Sequence, residues 1–146
     1  MSFETYTLVT KLSTSDMNKS IDFYERILNF RIDHRWTINS GGNFGTDSYV
    51  QMDYGMDETP LFTIGLYKDI DKPYSPPPQT GTVPSFIVPD IKYTLELFKE
   101  EKVHIDSFGG QEIIVNKSDL GYVDHFFFFR DPDNNSLVIR QNFGRQ

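Results

Sequence analysis

Three histidines are the first side chains to weigh for chemistry, because a neutral imidazole can ligate a metal and titrates near neutrality. His34, His104 and His125 stand in stretches that read as strands, with no common spacing between them. A polar, hydrogen-bonded strand residue is the reading favoured for each, and a three-histidine metal site assembled across strands is the alternative. Asp131, Asp133 and Asn135 alternate as the start of a calcium loop does. The sixth position, however, is Ser136 where such a loop needs Gly, and the twelfth is Asn142 where it needs Glu. A turn explains that run better. Gly41-Gly42-Asn43-Phe44-Gly45 lacks the Lys-Ser/Thr of a phosphate loop and leads into no helix, so it reads as a flexible lip. Tyr67, His34 and Lys11 are the groups left for proton transfer. Lys11 and Arg140 are strand cations that either face a ligand or snorkel to solvent.

Composition narrows the partners. The chain has 146 residues, with 14 Lys plus Arg against 21 Asp plus Glu and a net charge of −7. A nucleic-acid partner is not expected, because neutralising phosphates needs an excess of basic residues. Cationic or neutral small molecules are easier partners for an acidic surface. With 38% hydrophobic and 15% aromatic residues the chain is no disordered acidic tail. It contains no Cys, which excludes disulfides, a thiolate nucleophile, cysteine zinc sites and iron–sulfur clusters. Met1 to Lys11 has no basic start ahead of an apolar run, and no stretch approaches the roughly 20 apolar residues of a membrane helix. The expectation is a cytoplasmic protein with no membrane partner.

These side chains need elements to hold them. Thr5 to Leu12 alternates as a half-buried strand. Behind the candidate caps Ser15 and Asp16, the residues Met17, Ile21, Tyr24, Ile27 and Leu28 form the stripe of an amphipathic helix of about three turns. Phe30 to Thr37, Ser48 to Tyr54 and Leu61 to Tyr67 read as strands, so the first half is βαβββ. Asp71 to Thr82 carries four Pro without periodicity and is a stiff connector. The same order then returns. Asp16 falls on Asp90 with an offset of 74 residues, and Ile32 and Asp33 fall on Ile105 and Asp106 with an offset of 73. The strand Phe62 to Tyr67 falls on Asn135 to Arg140 with that same offset of 73. The expected organisation is one domain, residues 1–146, with module one at 1–68, a connector at 69–82 and module two at 83–146.

At two of these stretches the chain resembles the vicinal oxygen chelate superfamily, which includes glyoxalase I, extradiol dioxygenases, and fosfomycin- and bleomycin-resistance proteins. Asp16 to Phe30, with Phe23-Tyr24 and then Leu28-Asn29-Phe30, is similar to the family's Asp-capped helix, Phe-Tyr pair and Leu-Gly-Phe exit. Phe127 to Gln141 is similar to its Phe-x-Asp-Pro-Asp-Gly-Asn turn and final strand. Asn29 and Asn134 stand where the family has Gly, and Asn tolerates the left-handed conformation better than most residues.

The resemblance implies an α+β fold of two tandem βαβββ modules, forming a curved, incompletely closed sheet around a cavity with the helices outside. It also implies where metal ligands would stand, seven residues before each capping Asp and between two apolar residues of each last strand. Those positions are Val9, Val83, Gly65 and Val138, and none of their side chains can hold a metal. No cofactor is expected. Strand alternation places Leu8, Leu12, Phe62, Ile64, Leu66, Leu137 and Ile139 under the helices. The opposite parity faces the cavity: Thr7, Val9, Lys11, Thr63, Gly65, Tyr67, Val83, Ser85, Ile87, Ser136, Val138 and Arg140. Tyr67 or Trp36 would stack on an aromatic ligand, with His34 near Trp36. The Phe126 to Phe129 run needs both faces covered, by a helix on one side and a cavity or dimer partner on the other.

The function this predicts is a metal-free small-molecule-binding protein of bleomycin-resistance type, sequestering an aromatic or cationic organic ligand and, by resemblance, forming a homodimer. The alternative is an enzyme of the same superfamily, a lyase, isomerase or dioxygenase acting on a small organic substrate.

Overall fold

A computed structural model describes residues 1–3, 8–39, 41, 43–56 and 59–146. Among these are nine strands and two helices, in two compact units, 1–74 and 75–146. Thr7 lies outside the described residues.

The first unit runs β1 (Val9–Ser13), α1 (Met17–Leu28), β2 (Arg31–Ile38), β3 (Tyr49–Gly55) and β4 (Pro60–Tyr67). Its sheet order is β1-β4-β3-β2, with β1 parallel to β4 and the other pairs antiparallel. α1 begins where the Asp16 carboxylate accepts the Lys19 N–H at 3.2 Å, satisfying one of the free first-turn donors. It ends where Asn29 turns left-handed, φ 58°, so that the Phe30 N–H can reach the Tyr24 carbonyl at 3.0 Å. The buried face of α1, Met17, Phe23, Tyr24 and Ile27, packs with Phe30 over Leu12, Val50, Met52, Ile64 and Leu66. Leu8 departs from the alternation and is exposed. The β1–β4 register starts at Val9 opposite Thr63, so Leu8 precedes the paired strand.

The second unit runs β5 (Ser85–Ile87), α2 (Ile91–Glu100), β6 (His104–Ile105), β7 (Ile114–Lys117), β8 (Tyr122–Arg130) and β9 (Ser136–Arg145). Its strand order is β5-β9-β8-β6, and β7 also pairs with β8. The single strand expected after the second helix is thus split. Phe108 and Gln111 exchange backbone hydrogen bonds across Gly109 and Gly110, both at positive φ, and this turn separates β6 from β7. Asp90 caps α2 through the Tyr93 N–H at 3.0 Å. Ile91, Leu95 and Phe98 cover Phe127, Phe129, Leu137 and Ile139, with Phe98 edge-on to Phe129 at 5.0 Å between centroids. Asp131 closes the turn before β9. Its Oδ1 accepts the Asp133 and Asn135 N–H groups at 2.9 and 3.0 Å, while Asn134 sits at φ 63°.

Candidate functional site

Alternation along β8 decides what the second sheet presents on its other face. Phe127 and Phe129 are turned to α2, so Asp124, Phe126, Phe128 and Arg130 point away from it. Pairing extends this face sideways. Phe126 stands opposite Arg140 and Ile114, Phe128 opposite Val138, and Val138 opposite Ser85. Phe126, Phe128 and Phe108 form a wall of edge-to-face rings, with centroids 5.7 Å apart in each contact.

Two adjoining cavities share that wall. One, of about 690 Å³, is lined by Phe126, Phe128 and Phe108 with Asp106, Arg130 and Ser136 among its polar groups. The other, of about 390 Å³, adds Val83, Ser85, Val138, Arg140, Asn116 and Asp124. Gln79 of the connector borders both.

Each end of the wall carries an acid–base couple. At one, Arg130 is only 6% exposed, and its Nε and Nη2 donate to Asp106 Oδ2 at 3.1 and 2.7 Å. Its Nη1 donates to the Pro78 and Asn134 carbonyls at 2.9 and 3.2 Å, tying the connector and the turn to the sheet. At the other end Arg140 Nη2 lies 3.2 Å from Asp124 Oδ2.

The first sheet places its own candidates differently. Val9, Lys11, Thr63, Gly65 and Tyr67 share one face by register. Tyr49 lies over Gly65, where an added Cβ would meet its ring at 2.7 Å from Cε2. Thr63 donates to Asp53 at 2.8 Å, and Asp33 accepts two side-chain bonds from Arg35 at 2.9 and 2.8 Å. Lys11 pairs with Asp69, donates to Ser13 at 3.0 Å and lies over the Tyr67 ring. The Tyr67 hydroxyl donates to Asp47 at 2.7 Å, and that bond raises its pKa. His34 is exposed on β2, as is Trp36 at 57%.

The structure therefore gathers Val83, Ser85, Val138 and Arg140 around one cavity system, while Lys11 and Tyr67 are held by acidic neighbours in the first unit. Asp124, Phe126, Phe128, Asp106 and Arg130 were absent from the sequence-derived set. Parity along β8 is marked only at its ends, where Asp124 and Arg130 bracket the phenylalanines at even spacing, and it gives no signal for Asp106. The metal that the family resemblance implies finds no donors at Val9, Gly65, Val83 or Val138, and Tyr49 fills the space above Gly65. Among the described residues no three His, Asp or Glu side chains converge as metal ligands. None of the helices among the described residues is long and apolar enough to cross a membrane.

Comparison with known proteins extends the picture. The family model for the Glyoxalase/Bleomycin resistance protein/Dioxygenase superfamily matches residues 7–139. A search of curated protein sequences gives no significant match. Among solved structures, a glyoxalase/bleomycin resistance protein/dioxygenase from Alicyclobacillus acidocaldarius superposes with TM-score 0.65 at 15% identity, covering 98% of this chain and 96% of that one. TnmS3, an antibiotic binding protein from Streptomyces sp. CB03234, gives 0.58 at 17% identity over 96% and 99%. The fosfomycin resistance protein FosX from Listeria monocytogenes gives 0.60 at 12% over 95% and 94%.

Proposed function

We propose that this chain, which belongs to the Glyoxalase/Bleomycin resistance protein/Dioxygenase superfamily, binds a small, partly aromatic organic molecule in the second unit's cavity and sequesters it without a bound metal ion. The observation that carries this reading is the phenylalanine wall of the 690 and 390 Å³ cavities, with polar groups at its ends. Cavities of this size that set an aromatic wall beside polar groups able to orient a ligand suit drug-sized molecules. The shared fold of TnmS3, an antibiotic binding protein, supports sequestration as a use of it. Of the sequence-derived residues, Val83, Ser85, Val138 and Arg140 are the proposed ligand contacts. A homodimer and a cytoplasmic location belong to the same reading. Sedimentation velocity tests the first and fractionation of the source cells the second.

A proton-transfer enzyme is the competing reading. It is disfavoured because the Tyr67 hydroxyl already donates to Asp47 and Lys11 is paired with Asp69, which leaves neither group turned to a substrate. The test begins with metal analysis of protein purified without chelator or affinity-tag metal, followed by thermal-shift screening against aromatic cations, neutral bicyclic aromatics and diols. The proposal expects no stoichiometric metal and a raised melting temperature with aromatic probes. Stoichiometric nickel, zinc, iron or manganese would overturn it. So would a Tyr67→Phe variant that loses a measurable turnover while no ligand raises the melting temperature.

A further inference from the structure

Resting on that reading, we infer that the ligand offers the cavity an uncharged edge carrying a hydrogen-bond donor beside an acceptor, as in a lactam or primary amide on an aromatic ring, and that Asp124 and Arg140 read this edge.

The two acid–base couples on the wall differ in what they leave available. Around Arg130 all three nitrogens donate, and Asp106 Oδ1 takes a further contact from His104 Nε2 at 3.1 Å. At that end both Asp106 oxygens are engaged and every Arg130 nitrogen already has an acceptor. Asp124 is 8% exposed and borders both the 390 Å³ cavity and a neighbouring one of about 260 Å³. Its Oδ2 faces Arg140 Nη2 at 3.2 Å and Asn116 Nδ2 at 3.5 Å. Arg140 Nε donates to Asn142 Oδ1 at 2.8 Å. Among the described residues, Asp124 Oδ1 then has no donor and Arg140 Nη1 no acceptor. Because both residues border the cavity, the couple offers one acceptor and one donor to whatever enters.

Charge selects among ligands that could use them. The carboxylate and guanidinium cancel, so a ligand bringing its own net charge must lose hydration without gaining an unbalanced counter-ion. A neutral donor–acceptor edge meets both groups and makes two charge-assisted hydrogen bonds. Phe126 and Phe128, on the same face, are placed for the attached ring. The acidic surface alone suggests a cation. The neutralised Asp124 points to an amide-like group instead.

Four probes separate the possibilities in calorimetric titrations: quinolin-2(1H)-one, its N-methyl derivative, 1-methylquinolinium and 2-naphthoate. The lactam should bind about tenfold tighter than the N-methyl compound, the weight of one net hydrogen bond, and tighter than either ion. In Asp124→Asn, Arg140 claims the remaining oxygen and the amide NH2 turns to the ligand, so the lactam's advantage should disappear. Arg140→Gln should weaken the lactam and the N-methyl compound alike, since both keep the carbonyl, with unchanged melting temperatures showing that both variants fold. Equal binding of all four probes, tightest binding of the quinolinium, or a tenfold preference that survives in Asp124→Asn would each overturn the inference while leaving the aromatic cavity standing. Binding of none would overturn both.

Discussion

In the first unit Gly65 faces Lys11 on one side and Gln51 on the other, and in the second unit Val138 faces Ser85 and Phe128 in the same register. The correspondence continues outward. Thr63 opposite Asp53 matches Ser136 opposite Arg130, and Tyr49 opposite Tyr67 matches Phe126 opposite Arg140. One backbone plan thus carries two kinds of surface. Where the central residue is Gly, the Tyr49 ring closes over it and its hydroxyl donates to Gln51 at 3.2 Å. Where it is Val, flanked by Phe126 and Phe128, the two rings meet edge to face and leave open volume. Open volume follows from side-chain size at matched positions and not from topology.

The charged positions teach the same lesson more sharply. Asp106 is matched in the repeat by Asp33, but the side chain that meets it diagonally from the next strand is Arg130 in the second unit, whereas Asp33 meets Asp53 in the first. Truncating Arg130 to Met removes both guanidinium bonds to Asp106 and the donor to the Pro78 and Asn134 carbonyls. The expected cost is about 3 kcal/mol or more in urea unfolding. The matched change, Asp53→Asn, should act in the opposite direction and be smaller, because it removes a like charge beside Asp33 while the Thr63 bond can persist. If both changes destabilise alike, the contrast between the two couples is wrong.

The next effect tests the closure over Gly65. An added methyl must displace the Tyr49 ring, so Gly65→Ala should cost about 1–3 kcal/mol. Made together with Tyr49→Leu it should cost less, a non-additivity that a double-mutant cycle measures.

Acid titration comes third. The Arg35 hydrogen bonds lower the Asp33 pKa, whereas burial, with the Asp33 carboxylate adding to it, raises that of Asp53. Asp33 therefore contributes stability above its unfolded pKa that is lost as pH falls through its lower folded value. Asp53 contributes stability below its unfolded pKa that is lost as pH rises through its higher folded value. Asp53→Asn should abolish the decline just above the ordinary carboxylate range and leave the more acidic loss in place, as read from melting temperature against pH.

The smallest effect compares helix exits. Lys102 holds the left-handed conformation, φ 59°, that Asn29 holds at φ 58° after α1. Lys lacks the local hydrogen-bonding that lets Asn tolerate it, so Lys102→Gly should stabilise by about 0.5 kcal/mol and Asn29→Gly by less.

Much of this architecture was legible in the residues because it rests on local signals that the repeat doubles. Asp16 and Asp90 cap helices, Asn29 and Asn134 take the left-handed turns, and the alternation in β4 and β9 separates the helix-packed residues from the opposite face. The split into β6 and β7 was not legible, since it depends on how Phe108 and Gln111 pair across two glycines. The wall of the site was hidden for another reason. In Phe126 to Phe129 every residue is apolar, so alternation has no polar marker within the run, and only Asp124 and Arg130 at its ends report the parity. Nor does any local pattern say that Arg130 reaches Pro78, 52 residues away in sequence.

The claim that the second unit alone carries the ligand face is tested most directly by mapping amide chemical-shift changes as quinolin-2(1H)-one is titrated into 15N-labelled protein. The account predicts saturable shifts concentrated at Phe126, Phe128, Val138 and Arg140, with Tyr49, Gln51 and Gly65 unmoved. Shifts centred on the first sheet, or no saturable shifts at any ring-bearing probe, would contradict it.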